Sequence, residues 1–284
     1  MAITAPVFIP QVKVTHIKTI ISNPLVLPKL SPTRIWRKDT KACFGGTFND
    51  AFLHWPNIAD FRAEAGHTLH ISPKIKDEGT LRLFTEAEAT GLIQLQQGYF
   101  LLHASCILIN RRAYIFVGTP GAGKSTTVAA FVKAGNAPLA DDMTVITFQD
   151  GKPFVVPQGS AIKIWENSAT NLNFEKEKLK PCFEGHNKYY YEFEGEYSYE
   201  PVPLGGIYVL NRSNRYAKNP VIPSSQVPFE LLKHFPLPHQ LLKDKYLQKH
   251  FIECLQIARN VPVIRQKRPE GFENLMNWVK NFSA

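Results

Sequence analysis

Residues Gly118-Thr119-Pro120-Gly121-Ala122-Gly123-Lys124-Ser125 follow the pattern G-x-x-x-x-G-K-[S/T], with Thr126 directly behind. Glycines at these spacings let successive backbone N–H groups point inward around a phosphate chain. A helix starting near Ser125 would aim its positive end at the same anion. Lys124 has the length to reach β- and γ-phosphates, and the Ser125 hydroxyl suits the shell of a Mg²⁺ ion. The bland alternative is a glycine-rich turn that merely caps a helix. The preceding β-type run and following helix-type run favour a phosphate site for ATP and Mg²⁺ over 118–126.

Asp141 and Asp142 stand seventeen and eighteen residues beyond Lys124. A helix over Ser125–Ala134 carries the chain about 15 Å from the loop, at 1.5 Å per residue. An extended Asn136–Ala140 can return about 17 Å. The carboxylates then lie level with the loop, where one can hold the metal and the other accept a proton from an attacking hydroxyl. An acidic turn before a strand is the competing reading. His103 is the third candidate. Folding a hairpin about Asn110–Arg111 pairs positions whose numbers sum to about 221, which sets His103 opposite Gly118; a packed core histidine is the alternative at even odds. For a further cation, Lys188, Arg212 and Arg215 follow strand-type runs, with Arg212 the first choice and a solvated surface charge the bland reading of each.

These groups need a scaffold. Residues 1–85 read as a small β-rich region, with β-type runs at Val12–Ile21 and Thr68–Ile71 and a mixed segment over Asn49–Ala65. Glu86–Gln97 reads as a helix opening a catalytic domain over 86–284. There, Tyr99–Ile109 and Ala113–Val117 read as a hairpin, and Gly135 ends the helix behind the loop. Strand-type runs follow at Met143–Phe148, Phe154–Val156, Ile162–Trp165, Tyr189–Phe193 and Gly206–Leu210. Helical spacing marks Phe229–His234, Tyr246–Ala258 and Phe272–Phe282. The class is α/β or α+β.

The chain has 284 residues, 33 Lys+Arg and 24 Asp+Glu, a net charge of +9. Its basic clusters Lys243–Lys249 and Arg265–Arg268 are not interleaved with aromatics in a recognisable binding module and read as solvated helix faces, so no nucleic-acid partner is expected. Tyr189-Tyr190-Tyr191 and Phe193 read as strand packing. No run of 18 apolar residues suggests a membrane span, and no secretory signal is recognisable. Four widely spaced cysteines without a CxxC pair fit a reduced, cytoplasmic protein.

Leu102-His103-Ala104-Ser105, the loop GTPGAGKST, Leu139-Ala140-Asp141-Asp142 and Pro203–Leu210 together resemble the catalytic domain of bacterial HPr kinase/phosphorylase and its stand-alone relatives, including lasso-peptide-associated kinases. The resemblance covers about 86–284. It implies a phosphate-loop core related to phosphoenolpyruvate carboxykinase, transfer of the γ-phosphoryl group of ATP to a hydroxyl, typically a serine, and self-association. By the resemblance Lys124 binds phosphate, Ser125 binds Mg²⁺, Asp141 and Asp142 share metal and base roles, and His103 lines the site. Thr126 stands where HPr kinases usually carry Glu, and their Arg-containing glycine-rich phosphorylase signature is not found. Neither HPr as acceptor nor reverse phosphorolysis is therefore expected. A peptide or small-protein serine is the first acceptor class, a nucleoside or sugar hydroxyl the second; a non-catalytic ATP-binding regulator is the reading from outside enzymes.

Overall fold

The computed structural model describes residues 17–22, 24–185, 187–211 and 220–282. The chain divides into two compact units, Met1–Gln97 and Gly98–Ala284. That division falls twelve residues beyond the boundary read at 85/86.

The first unit is a six-stranded sheet of β1 (Lys18–Ile21), β2 (Ser31–Arg37), β3 (Thr40–Gly46), β4 (Asp50–Trp55), β5 (Ala59–Glu64) and β6 (Thr68–Pro73). Its order is β1-β6-β5-β4-β3-β2, an antiparallel meander with β1 parallel to β6. The expected run at Val12–Ile21 survives as β1; residues 12–16 lie outside the described residues. The segment read as mixed, Asn49–Ala65, is instead the β4–β5 hairpin, turned through Asn57 at φ 60°. Ala51, Leu53, Trp55, Ala59, Phe61 and Ala63 are fully buried, and this alternation holds the register. The helix expected over 86–97 begins earlier, as α1 (Glu78–Phe84), a wide turn over Thr85–Ala89 and α2 (Thr90–Gln96). Asp77 starts α1 by accepting the Thr80 N–H at 2.8 Å. Phe84 meets Trp55 edge-on at 4.8 Å and Glu88 pairs with Arg37 at 3.0 Å, which ties this helical stretch to the first sheet.

The second unit holds β7 (Phe100–Leu102), β8 (Ala104–Ile109), β9 (Arg112–Val117), α3 (Lys124–Lys133), β10 (Pro138–Ala140), β11 (Thr144–Gln149), β12 (Lys152–Val156), β13 (Ala161–Trp165), α4 (Glu166–Asn171), β14 (Leu179–Pro181), β15 (Lys188–Glu192), β16 (Val202–Asn211), α5 (Val227–Leu232), α6 (Asp244–Asn260), β17 (Val263–Lys267) and α7 (Phe272–Lys280). The run Tyr99–Ile109, read as one hairpin strand, divides at His103. β7 pairs with β11, whereas β8 pairs with β9 and β10. At the break the His103 N–H donates to the His234 carbonyl at 2.7 Å, outside either ladder. The β8–β9 register runs from Ala104 opposite Val117 to Ile109 opposite Arg112, with the sum of 221.

β9, β16 and β17 run parallel side by side, so their carboxyl ends share one edge. β16 also joins β12 antiparallel at Val202–Pro203, and a separate three-stranded sheet has the order β13-β15-β14. The run Ala113–Val117 is buried on both faces, as a central strand requires. Tyr114 and Phe116 pack toward α3 and α7, while Ala113, Ile115 and Val117 share a cluster with α5 and α6. Phe131 of α3 stacks on Phe116 at 5.5 Å and meets Trp278 at 5.7 Å, which anchors the helix behind the glycine loop. Arg265–Arg268, read as a helix face, lies instead on β17 and its end. The β-branched pair Val263–Ile264 belongs to the core pattern of a strand. Among the described residues no helix is long and apolar enough to cross a membrane, and all four cysteines are free.

One buried base of this unit carries a pH dependence. His250 on α6 is 4% exposed and stacked on Phe100 at 4.8 Å. Burial, aided by the His239 charge, pushes its pKa down to about 4. The unfolded chain therefore takes up this proton near pH 6.5 and the folded chain only near 4, so the neutral ring's contribution is complete above 6.5 and lost as pH falls toward 4. Denaturant titrations at pH 7 and pH 4 should show a loss about 2–3 kcal/mol smaller in His250→Gln than in the wild type. Equal losses would remove His250 from the acid sensitivity.

Candidate functional site

The glycine loop leaves β9 at Val117 and enters α3 at Lys124. Gly121 and Gly123 take φ of 78° and 97°, the left-handed region that side chains disfavour. Ala122 N–H donates to Thr119 O at 3.0 Å, closing a turn inside the loop. At Gly118 an added Cβ would stand 2.9 Å from the Leu210 carbonyl, so the loop rests directly on β16. Lys124 is 9% exposed, and its ammonium donates to the Gly118 carbonyl at 2.9 Å. Burial lowers its pKa; the charges of Asp142 and then Asp141 oppose that shift. Ser125 is half-buried in the first turn of α3. The Thr126 hydroxyl is engaged with Ser168 Oγ of α4 at 3.0 Å.

The chain returns from α3 through β10, which pairs with β8 and delivers Asp141 and Asp142 beside Lys124. Asp141 Oδ1 accepts from Ser105 Oγ at 2.7 Å, and its Oδ2 accepts from the Lys163 N–H at 2.8 Å. Burial and the neighbouring Asp142 charge push the Asp141 carboxyl up, against the Ser105 hydrogen bond. Asp142 sits at φ 64°, a conformation Asp tolerates better than most side chains, and its carboxylate pairs with the Lys163 ammonium. Lys163 also lies 3.4 Å from Glu184, which pairs with Lys188 at 2.7 Å. The Lys188 ammonium in turn stands 4.8 Å over the half-exposed Trp165 ring. A continuous line of charged groups thus runs from Asp142 through Lys163 and Glu184 to Lys188, which caps the Trp165 ring.

The structure therefore gathers loop residues 118–125, Asp141 and Asp142 at one mouth. Half-buried His103 lies one residue before the Ala104–Val117 pair that ends the β8–β9 ladder, and its N–H goes to the His234 carbonyl, so the register expected to set it opposite Gly118 stops short of it. Lys188 belongs to the rim, paired with Glu184. Arg212 and Arg215 lie outside the described residues. Tyr191 packs edge-on against Phe174 at 4.7 Å, the strand packing that its sequence suggested.

Three residues of the mouth have no counterpart among the candidates reasoned from spacing. Ser105 and Lys163 hold the Asp pair, and Arg268 lies against Gly123. Lys163 alternates with buried Ile162 and Ile164, so its outward direction is legible, but nothing local points to Asp142.

For Mg²⁺, each Asp141 oxygen carries one hydrogen bond and retains acceptor capacity, and Ser125 adds a hydroxyl; these are the hard oxygen donors the ion prefers. Among the described residues no three His, Cys, Asp or Glu side chains gather into a metal site. The donor set fits an ion completed by phosphate oxygens and water.

No protein-family model matches the chain, and no curated protein matches it. Among solved structures, the HPr(Ser) kinase/phosphatase from Coxiella burnetii matches over 64% of this chain and 89% of its own, with 14% identity and a TM-score of 0.34. A likeness that loose assigns no residue and no activity to this chain.

Proposed function

We propose that the chain is an ATP-dependent phosphotransferase that moves the γ-phosphoryl group to a hydroxyl, with a serine of a peptide or small protein as the first acceptor class. The observation that supports this reading is a buried Lys124, set in a glycine loop at a helix start, within electrostatic reach of two carboxylates whose charges oppose the effect of its burial. A lysine in that loop alone serves binding. The adjacent Asp pair adds what transfer needs.

In this reading backbone N–H groups of the glycine loop and the Lys124 ammonium hold the phosphates, which supply the transferable group when bound. Ser125 and Asp141 would hold Mg²⁺, and Asp141 is oriented for that by Ser105 and the Lys163 N–H. Asp142 takes the proton from the acceptor hydroxyl, with the Lys163 ammonium fixing the carboxylate's direction. His103 lines the mouth beside the loop, and Arg212 remains a candidate cation by its sequence position after β16.

Removing the Ser125 hydroxyl tests the metal side of the assignment. Ser125→Ala should raise the Mg²⁺ concentration for half-maximal ATP binding about tenfold, the equivalent of about 1.4 kcal/mol. Calorimetric titrations of ATP at stepped Mg²⁺ would read this. An unchanged Mg²⁺ requirement would take Ser125 out of the metal shell.

A further inference from the structure

We infer that Arg268 binds the terminal phosphoryl group at the same mouth; this rests on reading the glycine loop as a nucleotide site. The topology brings it there. Because β17 runs parallel to β16 with Lys267 opposite Asn211, and β9 runs parallel on the other side of β16, the three strands deliver Gly118, Asn211 and Arg268 to one edge of the sheet. In open α/β sheets that carboxyl edge is where ligands bind. The Arg268 N–H donates to the Asn211 carbonyl at 2.9 Å, which fixes the start of its side chain at the strand's end.

The side chain then folds over the loop. A Cβ placed on Gly123 would stand 2.5 Å from Arg268 Cδ, 2.6 Å from Nε and 3.3 Å from Cζ. Arg268 thus occupies the space that a glycine leaves open at the N-cap of α3. The guanidinium also lies against the Pro269 carbonyl, with Nη1 to O at 3.4 Å.

The electrostatics of that position point to an anion. The start of α3 is the positive end of its dipole, and Lys124, nine-tenths buried, adds a full charge one residue away. A third positive group packed on the same turn raises mutual repulsion, and a bound polyanion relieves it. The loop's backbone N–H groups cradle the phosphates nearer the nucleoside. A side chain entering from β17, outside the loop, is left the terminal one. A guanidinium offers five donors in a plane, which suits charge spread over the oxygens of a transferring phosphoryl group.

The test compares ATP with ADP. Calorimetry with wild type, Arg268→Gln and Arg268→Lys would measure both affinities at saturating Mg²⁺. The expected result is at least a tenfold weaker ATP affinity in Arg268→Gln, ADP affinity within threefold of wild type, and partial recovery of ATP affinity in Arg268→Lys. Equal weakening of ATP and ADP would assign Arg268 to loop packing and overturn the inference, as would unchanged ATP affinity. Should Arg268→Gln not fold, Arg268→Lys decides alone: it keeps the stem over Gly123, so a selective loss of ATP affinity supports the inference and wild-type selectivity overturns it. A wild-type protein that binds neither nucleotide would instead refute the nucleotide site itself.

Discussion

Lys124→Ala is expected to weaken Mg-ATP binding by about two orders of magnitude, with the fold retained. A lysine donating charge-assisted hydrogen bonds to two phosphates contributes about 1.5–3 kcal/mol through each. Loss of about 3 kcal/mol in total corresponds to about a hundredfold in Kd. The surroundings make that estimate apply to this lysine. Lys124 is nine-tenths buried, so a bound phosphate meets it with little competing water. The charges of Asp142 and Asp141 oppose the downward shift in its pKa that burial causes. Its present partner is the Gly118 carbonyl, a neutral acceptor that an anionic oxygen would outcompete. Lys124→Met keeps most of the volume and should behave the same way, which separates the charge from the packing. Calorimetry gives the affinities and far-ultraviolet circular dichroism the fold. Wild-type affinity in either variant would contradict the phosphate role of the loop.

The second large effect concerns chemistry. Asp142→Asn should leave ATP affinity within about threefold and reduce phosphoryl transfer by about 10³-fold, within the usual range for a lost general base. The substitution is conservative where it matters structurally. Asn tolerates the left-handed backbone of residue 142 as Asp does, so the turn after β10 persists. Asp141 responds differently. Both of its oxygens accept hydrogen bonds, from Ser105 and the Lys163 N–H, and an amide can accept through only one. Asp141→Asn should therefore lower the melting temperature as well as the rate. Loss of stability without loss of transfer in that variant would make Asp141 structural. Unchanged transfer in Asp142→Asn would remove the base from residue 142.

The parts of the site that sit close in sequence were legible. Eight contiguous residues encode the glycine loop, because its backbone geometry needs glycine at fixed places. The β8–β9 register followed from the position of one polar turn at Asn110–Arg111. The return of the Asp pair followed from helix rise and strand reach. Contacts across long stretches were not legible. Lys163 meets Asp142 after a further hairpin, β11–β12, and Arg268 reaches Gly123 across the whole second half of the unit. Arg265–Arg268 resembles a solvated helix face because the parallel strand beside it, β16, is distant in sequence. The hairpin within 49–65 is masked for a related reason: Phe52 and Asp60 are buried on the face opposite the fully buried Ala51, Leu53, Ala59 and Phe61, so the apolar-in, polar-out contrast is blurred. The split at His103 is not legible in the sequence because β7 and β8 are both apolar and only their partners differ.

The central claim is transfer, and γ-labelled ATP tests it most directly. Wild type and Asp142→Asn would be incubated with the labelled nucleotide, Mg²⁺ and separate panels of serine peptides, nucleosides and sugars. The expected result is label in an acid-stable phosphoester with wild type in one panel, and a drop of about 10³-fold in the variant. Tight ATP binding with the label left on ATP across every panel would contradict the account and favour an ATP-binding regulator.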